Sequence, residues 1–114
     1  MNMSNLAEQD NPMSLPSRED LVAALRTVLD PEIPVNIYDL GLIYRLEVDA
    51  QGRVEIDMTL TAPACPVAGT LPKEVGRVID EVPGVTDTVV RLVWSPPWTQ
   101  SLISEEAQLE LGLL

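Results

Sequence analysis

Tyr44-Arg45-Leu46-Glu47-Val48, the triplet Ala50-Gln51-Gly52, and Val54-Glu55-Ile56-Asp57-Met58 form the stretch that decides the architecture. Apolar and charged side chains alternate at period two on both sides of a turn-forming triplet. The stretch therefore reads as a β-hairpin with one buried face and one wet face. Leu60 keeps the apolar phase of the second run, and Tyr44, in phase with Leu46, reads as structural.

Before the hairpin, Leu21, Val22, Leu25, Val28 and Leu29 recur at helical spacing behind Ser17 and Asp20. That is an N-cap with an acidic first turn, and it predicts a helix running to about Leu29. Pro31 and Pro34 forbid its continuation and make residues 30–41 a braced loop. After the hairpin, Leu71, Val75, Val78, Ile79 and Val82 predict a second helix ended by Pro83-Gly84. Pro72 is tolerated only in a first turn, so the regular helix is expected to start near Thr70.

A third strand is expected from Val85 to Trp94, with Thr88, Val90, Leu92 and Trp94 on one face, stopped by Pro96-Pro97. This places Trp94 in the core. Trp98 is open between core and surface, and the pair beside its prolines also reads as a partner-binding surface. Ser104 before Glu105 and Glu106 caps a short last helix that Gly112 ends. The fold class is α+β, a small two-layer α/β sandwich of order α-β-β-α-β plus a short C-terminal helix. The helices lie mainly on one sheet face, because three short strands cannot bury their apolar side alone.

The chain of 114 residues with 46% apolar content can bury one core without disulfides. Residues 1–16 lack periodicity and read as a flexible tail before a single domain spanning 17–114. No segment of Met1–Pro16 has the charge and apolar run of an export signal, and the only cysteine suits a reducing compartment, so a cytoplasmic location is expected. Eighteen acidic against seven basic residues give a net charge of -11, which argues against nucleic acid and anionic membrane as partners. The absence of histidine removes the commonest general base and metal ligand.

Cys65 is the most informative position for chemistry. It falls between a strand end and a helix start, flanked by Pro63 and Pro66, where helical N–H groups stabilise a thiolate. Position alone leaves open whether it is reactive or a small packed hydrophobe. Asp30, Glu32 and Asp39 sit together in the proline-braced loop, where polar groups build sites, although Asp beside Pro and Gly is also ordinary turn chemistry.

These segments carry a resemblance. The run from Asp30 through Tyr38-Asp39-Leu40-Gly41 to Tyr44, then Met58-Thr-Leu-Thr-Ala-Pro-Ala-Cys-Pro66, Val82-Pro-Gly-Val85 and Val93-Trp-Ser-Pro-Pro-Trp-Thr99 with Ser104-Glu-Glu-Ala107 resemble the SufT-type iron–sulfur cluster assembly proteins. The wider family includes cytosolic targeting factors, oxygenase maturation proteins and a domain of cluster-carrier ATPases. Its oxygenase branch has further C-terminal cysteines that this chain lacks, and Pro72 departs from what is expected in the second helix. The resemblance implies an accessory factor in cluster assembly or delivery, with Cys65 as the reactive residue and transient cluster ligand. Asp30, Glu32 and Asp39 would then lie in the loop approaching it, and Thr61 and Pro66 at the ends of its motif.

Clusters are usually held by about four thiolates, so a second copy, a partner or a small thiol must complete the set. The implied partners are the assembly machinery, client apo-proteins and a second subunit of a homodimer. A thiol enzyme with Asp30 or Asp39 as base is the rival, weakened because a carboxylate of pKa ~4 is a poor base for a thiol of ~8.5. A chemistry-free interaction module is the third reading. The first requires an accessible Cys65 at the start of the second helix, within reach of the Asp30–Asp39 loop.

Overall fold

The computed structural model describes residues 14–61 and 70–113. Its elements run α1 (Arg18–Leu25), β1 (Ile43–Val48), β2 (Arg53–Met58), α2 (Leu71–Asp80), β3 (Asp87–Leu92), a 3-10 turn (Gln100–Leu102) and α3 (Glu105–Glu110). β1 and β2 pair antiparallel, with Leu46 opposite Ile56 and Val48 opposite Val54. β3 lies parallel to β2, giving the sheet order β1-β2-β3. A tight turn joins the first pair, whereas a parallel pair needs a crossover, which α2 supplies. The α+β order read from the sequence stands. Among the described residues, no helix is long and apolar enough to cross a membrane.

One sheet face builds the core. Leu46, Val54, Ile56 and Met58 pack with Leu21 and Leu25 of α1 and with Leu71, Val75, Val78 and Ile79 of α2. Each such side chain contributes about 1.5–3 kcal/mol by leaving water. Ser17 caps α1 by accepting from the Asp20 amide at 3.0 Å. Thr70 precedes α2, and Pro72 falls in its first turn, as the late start required.

The opposite face is an ion-pair ladder. Glu47 stands opposite Glu55 across the hairpin, a like-charge pairing that destabilises a sheet unless a cation intervenes. Arg45 intervenes, donating to Glu47 at 2.7 Å, Glu55 at 2.9 Å and Asp57 at 3.1 Å. Arg91 adds contacts to Glu55 at 2.8 Å and Asp57 at 3.3 Å. The Arg45 guanidinium, with Arg91 behind it, holds the Glu55 carboxyl below the usual carboxylate range. Arg77 does the same to Glu74 on α2. A carboxyl depressed in the folded state stabilises above its unfolded pKa, and that contribution is lost as pH falls through the folded value. The melting temperature should thus drop as pH is lowered from about 5 to about 3, and high salt should shrink the drop. Glu55→Gln should melt lower than wild type at neutral pH and lose less on acidification. An acid dependence identical in wild type and variant would contradict the ladder's role.

Three expectations need correction. α1 ends at Leu25 rather than near Leu29, because Leu29 has already turned to bridge with Asn36 and is exposed. The Asp30 amide donates to the Val35 carbonyl in the same turn, so residues 28–37 form their own small antiparallel loop. β3 stops at Leu92, and Trp94 is 45% exposed rather than core. The last ladder contact is from the Val93 amide to the Met58 carbonyl, beyond which β3 has no strand to follow among the described residues. The β1 register shifts between Ile43 and Arg45, so Ile43, not Tyr44, packs against the core. Tyr44 is still structural, since its hydroxyl donates to the Pro96 carbonyl at 2.8 Å.

The C-terminal segment folds back on the domain. Ile103 and Ala107 are buried, and Trp98 and Leu111 pack against the core. Ser104 caps α3 by accepting from the Ala107 amide, and Gly112 follows its end. In the segment read as a tail, Pro16 is buried, while residues 1–13 lie outside the described residues.

Candidate functional site

The proline-braced loop is organised by its own carboxylates. Asp30, only 6% exposed, accepts from the amides of Glu32 at 2.9 Å and Ile33 at 2.8 Å through Oδ2. Pro31 leaves those two amides as the free donors of the turn, and the Asp30 side chain satisfies them. Glu32 is exposed and contributes its backbone. Asp39 is held from two sides, by the Asn36 side-chain amide at 2.9 Å and by Arg26 at 3.4 Å. The Asn36 Oδ1 in turn accepts from the Asp39 amide at 2.8 Å, and Arg26 lies 5.2 Å over the Tyr38 ring. Asp30 and Asp39 thus spend acceptor positions on local donors. Among the described residues, no three carboxylates or other metal-ligating side chains converge.

The end of this loop meets the end of β2 and the segment after β3. The Leu42 carbonyl accepts from the Thr59 amide, the Leu40 carbonyl from Trp98 Nε1 at 2.7 Å, and the Asp39 carbonyl from the Ser104 amide at 2.7 Å. These three bonds fix residues 39–42 between the two strand ends. A cleft of about 200 Å³ opens there, lined by Thr59, Leu60, Thr61, Trp94, Pro97 and Trp98. Thr61 is therefore placed on the wall of this cleft. Cys65 and Pro66 lie outside the described residues, as does the expected approach of Cys65 to the loop. The motif that contains them runs between Thr61, three residues beyond β2, and Thr70 at the start of α2.

That junction decides the assignment, because residues 18–92, which span it, match the family described as iron–sulfur cluster assembly protein. The chain belongs to that family. It is similar to an Fe-S protein maturation auxiliary factor of Porphyromonas gingivalis, 51% identical over 88% of this chain and 95% of the relative. It is also 43% identical to the Fe-S protein maturation auxiliary factor SufT of Staphylococcus aureus, over 75% of this chain and 98% of the relative. A crystal structure of a domain of unknown function from Bacillus anthracis superposes with a TM-score of 0.78 at 38% identity, covering 84% of this chain and 92% of that one. The SufT-type resemblance and the α+β fold class are both borne out within the iron–sulfur assembly family.

Sequence reasoning missed three residues of this region. Arg26 and Asn36, which hold Asp39, were legible only in part, since Asn three residues before Asp is a known turn pattern but Arg26 meets it through the fold. Thr59 had no signal. Its alternation places it on the polar face, yet it is 1% exposed.

Proposed function

We propose that the chain works in iron–sulfur protein maturation by carrying a cluster as cargo on Cys65 and passing it to client apo-proteins. The observation that supports this most is the placement of the only cysteine of a histidine-free chain between β2 and α2, in a member of the iron–sulfur assembly family. Cys65 is the only residue from which the chain can offer iron a thiolate. The accessory role agrees with the relatives, which are themselves named maturation auxiliary factors.

One thiolate leaves a cluster short of ligands, so transfer takes place in an assembly, with the assembly machinery, a client or a second copy supplying the rest. The cluster is cargo, and the role is non-enzymatic. A thiol enzyme using Asp30 or Asp39 as base is disfavoured by geometry, because the Asp30 carboxylate receives two backbone amides and the Asp39 carboxylate receives Asn36 and Arg26. A free thiol devoted to clusters fits a reducing cytoplasm.

Because the chain has a single cysteine, labelling with a thiol reagent reports on Cys65 alone. The folded protein should label at neutral pH faster than a free thiol, with a rate profile titrating below ~8.5. A thiol that labels only after unfolding would reduce Cys65 to a packing residue.

A further inference from the structure

We propose that the cleft between the end of β2 and the Trp94–Trp98 segment is a docking pocket for one apolar side chain of a partner protein, presented on a basic stretch of that partner. The inference rests on the reading that the chain meets assembly or client proteins, and it names the surface and the chemistry of the encounter.

Three observations carry it. The first is shape and lining. Trp94, Pro97 and Trp98 face Thr59, Leu60 and Thr61 around about 200 Å³, below the ~300–1,000 Å³ of small-molecule sites and suited to a single side chain. Trp98 is pinned by its Nε1 bond to the Leu40 carbonyl, whereas Trp94 leaves 45% of its surface in water. A fixed aromatic wall beside an exposed tryptophan is the composition of an interface anchor site.

The second is Thr59. Its Oγ1 is buried and has no hydrogen-bond partner among the described residues. A buried hydroxyl left unpaired costs stability, so the wall of the cleft is incompletely satisfied in the free chain.

The third is charge. The net charge is -11, and Arg45, Arg53, Arg77 and Arg91 are each paired with the chain's own carboxylates. At this end of the molecule the bond from the Ser104 amide to the Asp39 carbonyl brings the exposed Glu105 and Glu106 to the loop that anchors Trp98. A partner segment bearing Lys or Arg beside its apolar anchor complements that field, and an acidic one is repelled.

The test is selection of a random peptide library against the full-length, iron-free protein, with the chain's only two tryptophans as the fluorescence reporter. The enriched peptides should share an aliphatic or aromatic residue flanked by Lys or Arg, and should shift the tryptophan emission on binding. Trp94→Ala should weaken them by at least about tenfold while leaving the circular dichroism spectrum unchanged. Thr59→Val should melt no lower than wild type, since it removes a buried hydroxyl that has no partner among the described residues. No enrichment, acidic or all-polar winners, affinity indifferent to Trp94→Ala, or self-association of the chain through Trp94 would each overturn the pocket. Since no iron is present, its failure leaves Cys65 as cluster ligand untouched, and a cysteine that binds no cluster would not by itself empty the pocket.

Discussion

Truncation after Trp94 should drop the melting temperature by about 20 °C or more, or leave the protein insoluble. The segment removed carries Ile103 and Ala107, 4% and 2% exposed, and the partly buried Trp98 and Leu111. Emptying the Ile103 site alone costs about 2–5 kcal/mol. The same cut deletes the bonds from Trp98 to the Leu40 carbonyl, from Ser104 to the Asp39 carbonyl and from Tyr44 to the Pro96 carbonyl. At about 1 kcal/mol each, with the two loop carbonyls left unpaired, these bring the total into the range of a whole domain's stability, ~5–15 kcal/mol. Thermal unfolding and size-exclusion chromatography of the shortened chain read the outcome. A truncated protein with unchanged melting temperature, solubility and mass would show that the segment is not part of the fold.

Gly41→Ala should be among the most damaging of the small substitutions, with Gly52 and Gly84 in the same class of positive φ against a backbone oxygen. Gly41 has φ +80°, where a side chain costs about 1–2 kcal/mol on backbone grounds. An added Cβ would also meet the Leu102 carbonyl oxygen and come within 2.8 Å of Leu102 Cβ, and the oxygen belongs to backbone that cannot swing aside. Crowding of that kind adds about 1–3 kcal/mol. Gly112 provides the control, since it shares the positive φ at +77° but has nothing within 4 Å of an added Cβ. The expected losses are about 3 kcal/mol for Gly41→Ala and about 1 kcal/mol for Gly112→Ala, read as a difference in urea midpoint at equal slope. Equal losses would mean that the loop and the 3-10 turn do not pack as described.

The hairpin, both serine caps and the late start of α2 were legible because each depends on neighbours in sequence: period-two alternation, a hydroxyl before a first turn, a proline's missing amide. What was illegible depends on partners. Trp94 keeps the apolar phase of β3, but phase means burial only while the neighbouring strand continues, and the ladder ends with Val93 against Met58. Leu29 matches the helical period of α1, yet its backbone pairs with Asn36 instead. One extra residue in β1 exchanges Tyr44 for Ile43 at the core.

The candidate site divides in the same way. Asp30 and Asp39 stood out as carboxylates in a braced loop, and the sequence also offered the turn-building role that Asp30 performs. The Arg26 contact to Asp39 spans 13 residues and the Trp98 bond to Leu40 spans 58, so neither leaves a local pattern. Thr59 is hidden for the opposite reason, because its alternation points to the wet face of a sheet end beside which Trp94, Pro97 and Trp98 stand.

The central claim, that Cys65 carries a cluster, is tested most directly by the visible absorption spectrum and the iron and acid-labile sulfide content of protein purified without oxygen, alongside Cys65→Ser treated identically. The account predicts iron, sulfide and a thiolate-to-iron charge-transfer band in the wild type, all lost in the variant while its melting temperature is kept. Equal iron and sulfide in both proteins, or a wild type that takes up neither when assembled with a cluster donor, would contradict it.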